Sequence, residues 1–143
     1  MAGFIGYPAG RVLAVFDRAG DADPAIEDLR ALDLADVDRF EGRADADRFD
    51  ATGERHGAVV RVLRAVQFSL MDQLPAMAWY EAALREGKLV LAVRTTNRTT
   101  TLRAVEALKA AGGHFINHFG RAATEEFARW QGPEPNVPSL MKH

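Results

Sequence analysis

Two imidazoles stand four residues apart in GGHFINHFGR (112–121), His114 and His118, with Asn117 between them and Arg121 behind. On a helix this spacing would bring both rings onto one metal. The glycine pair before them and the Phe and Ile among them predict a strand instead. Alternation then puts 114, 116 and 118 on one face, with the two rings about 13 Å apart at ~3.3 Å per residue. A single zinc, with nitrogen bonds of ~2.0–2.1 Å, cannot span that gap. The pattern therefore predicts no metal site. Two readings stay open: edge-strand imidazoles with ordinary hydrogen bonds, or a pocket that draws His114, Asn117, His118 and Arg121 together with His56.

Two other stretches have the chemistry to receive an anion. In DATGERHG (50–57), Asp50 or Thr52 can cap a helix that begins near Glu54, and Arg55, His56 and Arg61 follow. A helix N-terminus beside cations welcomes negative charge. In TTNRTTTLR (95–103), hydroxyls and amides gather at a helix start beside Arg94, Arg98 and Arg103. The simpler reading is plain capping for the first stretch and a solvated loop for the second. Neither GxxxxGK[ST] nor GxGxxG occurs, so the residues point to no nucleotide.

Other chemistries fail on composition. There is no cysteine, which removes disulfides, thiolate catalysis and cysteine-bound zinc. Ser69 and Ser139 lie in no GxSxG elbow. Asp45 and Asp47 sit in a charge run that reads as a solvated turn. No catalytic residue and no cofactor are expected. A net charge of −2 supplies no field toward nucleic acid or an anionic membrane. No basic leader opens the chain and no apolar run nears the ~20 residues of a membrane span. The expectation is a cytoplasmic protein.

The elements that would position these residues follow from an internal repeat. Residues 12–43 and 90–121 both open on Val-Leu-Ala-Val and close on Gly-Arg. Each reads strand, helix, strand. The opening strands, 12–16 and 89–93, are apolar throughout, as strands buried on both faces are. The closing strands, 37–41 and 114–119, mix polar and apolar side chains, as edge strands do. Asp23 and Pro24 suit the start of the first helix, with Ala25, Ile26, Leu29 and Leu32 inward. The 99–101 threonines offer caps for the second, with Leu102, Val105 and Leu108 inward and Gly112-Gly113 ending it.

Counting strands from the N-terminus, only the first and third can be central, so the order should be 4-1-3-2 with both helices on one face. This is α+β, a ferredoxin-like two-fold strand–helix–strand repeat. RNA-recognition modules share that topology but stack bases on aromatics of the central strands. VLAVF and LVLAV hold one aromatic between them, so no nucleic acid is expected.

A helical insert, 44–87, joins the halves. Val59, Leu63, Val66 and Leu70 mark one helix face. Pro75 begins a second helix with Met77, Tyr80, Ala83 and Leu84 inward, and Gly87 ends it. Either this insert or a second subunit must cover the sheet face that the repeat helices leave bare. Residues 1–127 then form a single domain, and 128–143 an extended Pro-rich tail, free or strapped across a neighbour.

RVLAVFDRAGDADPAIEDLRAL resembles the opening of the bacterial heat-induced general stress protein family. DATGERHGAVVRVLRAVQ, and YEAALREGKLVLAV followed by GGHFINHFGR, are similar to segments of that family's uncharacterised relatives. The likeness covers about residues 11–127. A helical 56–86 segment stands where the best-known members carry a glycine-rich middle. The resemblance implies a small bacterial protein, stress-associated or regulatory and without established catalytic residues. The two-faced apolar strands add the expectation of self-association as a homodimer or higher homo-oligomer. The alternative is a small-ligand, anion or cofactor-binding protein, possibly an enzyme, with candidate contacts His56, Arg61, His114, Asn117, His118 and Arg121.

Overall fold

A computed structural model describes residues 10–46, 74–120 and 124–133. Five strands and four helices are present among them: β1 (Arg11–Phe16), α1 (Ala19–Ala31), β2 (Val37–Glu41), α2 (Gly42–Ala46), α3 (Leu74–Arg85), β3 (Leu89–Arg94), α4 (Arg98–Ala110), β4 (His114–Phe119) and β5 (Thr124–Ala128). The strands make one antiparallel sheet in the order β2-β3-β1-β4-β5. The expected order 4-1-3-2 lies inside it, read from the other side.

The sheet has two apolar faces because β1 and β3 bury every side chain from Val12 to Phe16 and from Leu89 to Val93. Val12, Ala14, Phe16, Leu91, Val93 and Ile116 pack under α1 and α4. Leu13, Val15, Phe40, Val90, Ala92, Phe115 and Phe119 pack under α3, with Ala46 of α2. The insert thus covers the second face through Trp79, Tyr80, Ala83 and Leu84. Tyr80, Ala83 and Leu84 point inward as the spacing requires. Val59, Leu63, Val66 and Leu70 lie outside the described residues, as does the side chain of Met77.

Three expectations need correcting. First, β4 is no edge strand. β5 flanks it, so β4 is buried at every position except His118. TEEFA is a short, mostly polar strand, and its composition hid it. Second, α1 begins at Ala19, well before Asp23, which instead takes Arg39 in an ion pair at 2.8 Å. Pro24 sits inside the helix. Third, Leu32 and Leu102 are 38% and 42% exposed. Ala22 and Ala25 line α1, and Thr101 and Ala104 line α4, because small residues let both helices lie close to the sheet.

Three helices stop by one device. Asp33, Gly87 and Gly112 take φ of 62°, 88° and 95°. The next amides return to Leu29, Ala83 and Leu108 at 2.8, 3.0 and 2.9 Å. This pairing satisfies carbonyls that the helix end leaves open and turns the chain back toward the sheet. No helix among the described residues is long and apolar enough to cross a membrane.

Glycines 20 and 113 should respond oppositely to alanine. A Cβ at Gly113 would stand 2.8 Å from the Leu108 carbonyl oxygen and 3.0 Å from Phe16 Cζ; at Gly20 it would meet open space. Urea unfolding should show Gly113→Ala losing about 1–3 kcal/mol and Gly20→Ala gaining about 0.4–1 kcal/mol.

Candidate functional site

β4 carries a bulge. Its register on β1 slips between Leu13 and Val15, and Phe115 sits at φ 47°. The carbonyls of Leu13 and Phe115 turn toward α3, where the Tyr80 hydroxyl meets them at 3.0 and 2.6 Å. Asn117 Nδ2 donates back to that hydroxyl at 2.9 Å. The group is sealed, and burial pushes the Tyr80 phenol far above its ordinary value, so it stays neutral. Asn117 therefore works as a buried structural donor. A tyrosine on an apolar helix face and an asparagine in an apolar strand were the available signals for this pair.

The bulge breaks the alternation expected for 114, 116 and 118. His114 lies against Trp130, which packs on the α3-side cluster. His118 lines a cleft at the start of α4. His114 is buried, and both its nitrogens are used. Nδ1 accepts the Gln131 amide at 3.1 Å, so the proton is on Nε2 and points at Asp17 Oδ1, 2.8 Å away. Lys88 Nζ reaches the same oxygen at 3.0 Å. Burial lifts the Asp17 carboxyl, but the hydrogen bonds and charges of His114 and Lys88 outweigh it and hold the group below the usual carboxylate value. No lone pair of the ring is left for a ligand or metal. Among the described residues no group of His, Asp or Glu is placed to hold a metal ion.

The cleft has a volume near 540 Å³ and is lined by Gly10, Arg94–Arg98, Thr101, His118 and Gly120. Its wall is the 95–103 stretch, folded back on itself. Asn97 caps α4 by accepting the Thr100 amide at 2.9 Å, and Thr100 Oγ1 accepts the Asn97 amide at 3.2 Å. Thr101 Oγ1 donates to the Asn97 carbonyl at 2.9 Å, so the Thr95 hydroxyl donates to Thr101 at 2.8 Å. This network rigidifies the loop and also takes up several amides that an anion would have used. Arg98 grips Glu125 of β5 with both guanidinium nitrogens, Nη2–Oε2 at 3.0 Å. Arg94 is exposed at the end of β3, and no described carboxylate or carbonyl meets its guanidinium. His118 is half-buried. Burial holds its pKa below the ordinary value, with Glu125 opposing and Arg98 assisting, so the ring is neutral near pH 7.

Of the residues marked in the sequence, His118 is in this cleft. His114 and Asn117 are locked elsewhere. His56, Arg61 and Arg121 lie outside the described residues. Arg94 and the 95–98 loop belong to the stretch whose simpler reading is a solvated loop; its proximity to β4 is tertiary and leaves no local trace. No family model, curated protein or solved structure matches the chain.

The Asp17 ion pairs set an acid limb. Its folded pKa is depressed, so its contribution is present above the unfolded value of ~3.9 and is lost as pH falls through the lower folded value. Asp17→Asn should flatten the fall of thermal stability below about pH 4, as followed by circular dichroism melts.

Proposed function

We propose that the protein is a non-catalytic module that binds a small anionic ligand in the cleft beside α4, built on a ferredoxin-like two-fold repeat with a helical insert between the halves. The observation that supports it is an Arg94 with no ion-pair partner among the described residues, a pre-folded hydroxyl-rich loop and a neutral, half-buried His118 around one cleft. Arg94 supplies a fixed charge and a planar donor fork, which suits phosphate or carboxylate. Thr96 and the first turn of α4 supply polar edges and the positive helix end. His118 can donate one hydrogen bond while neutral and a stronger one once charged.

The resemblance to stress-associated proteins and the expectation of self-association give a second reading. A bare sheet face does not support it, since α3 covers that face. The observation that favours it is a shallow groove between α1 and α4, where Leu32 and Leu102 stand exposed beside Arg103 and Glu106. A second copy placed about a two-fold axis would offer Glu106 to Arg103 and leucine to leucine. Light scattering after size exclusion tests it: Leu102→Glu should convert a dimer to a monomer, and a parent that is monomeric at high micromolar concentration removes the reading.

For the cleft, amide shifts of Thr96, Asn97 and Arg98 should move together on titration with inorganic phosphate and phosphate-bearing metabolites. Arg94→Ala should weaken binding roughly tenfold or more, since a charged hydrogen bond contributes about 1.5–3 kcal/mol. Anion binding favours charged His118 and so raises its pKa. For sulfate, whose charge is constant in this range, affinity should therefore increase as pH falls from about 8 toward 6, with proton uptake visible by calorimetry in two buffers, and His118→Ala should abolish that dependence. A screen in which parent and Arg94→Ala give identical null titrations defeats the reading.

A further inference from the structure

We propose that residues 129–133 form an acid-released strap whose latch is His114. The claim is independent of the ligand cleft, which lies beside α4. After β5 the chain crosses the end of the sheet. The Arg129 carbonyl accepts the Phe115 amide at 2.9 Å. The Trp130 ring then lies edge-on to Trp79, His114 and Phe115 at centroid distances of 5.4, 5.0 and 5.7 Å. Its indole N–H donates to the Pro133 carbonyl at 2.9 Å, which folds the strap into a turn. Lys88 Nζ stands 5.9 Å from the centroid of the Trp130 ring, and the Gln131 amide donates to His114 Nδ1 at 3.1 Å.

That bond exists only for the neutral ring. Nε2 already carries a proton for Asp17, so the next proton can go only to Nδ1. There it meets the Gln131 amide proton head-on, and an attractive contact becomes a repulsive one. The charged groups at the ring are Asp17, from the turn after β1, and Lys88, from the residue before β3. The strap brings the uncharged Trp130 and Gln131, and α3 brings Trp79. Asp17 holds the imidazolium in place, while Lys88 opposes the added charge. Protonation thus keeps the ring on Asp17 and expels the strap. Departure of Trp130 uncovers the Trp79–Phe115 stack, whose rings are 5.4 Å apart, as an apolar surface at one end of the sheet.

Both tryptophans of the chain report on this cluster. Intrinsic fluorescence of the full chain should shift reversibly to the red on acidification, with far-UV dichroism unchanged. His114→Gln offers an amide oxygen to Gln131 and an amide N–H to Asp17 at every pH, so the shift should vanish in that variant. Amide exchange in the parent gives a second measure: protection of Gln131 should fall roughly tenfold or more on acidification while amides of β1 and β3 keep theirs. No red shift in the parent, the same shift in His114→Gln, or unchanged Gln131 protection overturns the proposal.

Discussion

The Tyr80 hydroxyl in the β4 bulge is the contact on which the rest of the arrangement depends. A bulge removes two carbonyls from the ladder, and buried carbonyls without donors are costly. One phenol shares its single proton between both, and its oxygen accepts a hydrogen bond from Asn117 Nδ2. α3 is thereby fixed to the sheet by a polar contact as well as by apolar burial. The same bulge sets the phase of β4 on either side of Phe115. His114 goes to the tryptophan cluster, Ile116 to the α1–α4 core and His118 to the cleft. A regular strand would have put both imidazoles on one face.

What was legible in the sequence was what period and composition encode. VLAVF and LVLAV announced strands with no polar face, and that alone placed β1 and β3 at the centre. Tyr80, Ala83 and Leu84 announced the buried stripe of α3, and Gly87 its end. What was not legible depends on partners remote in the chain. Phe115 adopts a left-handed backbone because Tyr80 and Arg129 receive its peptide groups, and no residue near it signals this. Asp23 looks like a cap until Arg39 arrives from β2. TEEFA has too little apolar character to declare a strand, yet β4 offers it a complete edge.

Charge distribution sharpens the candidate site. Arg39, Arg85 and Arg98 are each matched to carboxylates within 3.0 Å, which leaves them little unmet demand. Surface pairs of this kind stabilise weakly, but they also silence guanidinium groups that would otherwise bind anions indiscriminately. Among the described residues no ion pair of this kind involves Arg94, whose amide donates to the Asp36 carbonyl at 3.0 Å.

The position of β1 bears on how the chain acquires its structure. β1 comes first among the described strands, is apolar from Val12 to Phe16, and pairs with β3 and β4. During synthesis it emerges well before either neighbour. Loop closure over such separations is slow, and unpaired apolar strands associate with one another in the meantime. Neither β1 nor α1 can bury its apolar side on the other alone, since the strand's second face waits for α3. Productive folding must therefore be late and concerted, with α3, β3 and β4 closing over β1 together. Until the second half is complete, residues 11–16 are an apolar strand without neighbours, open to off-pathway association.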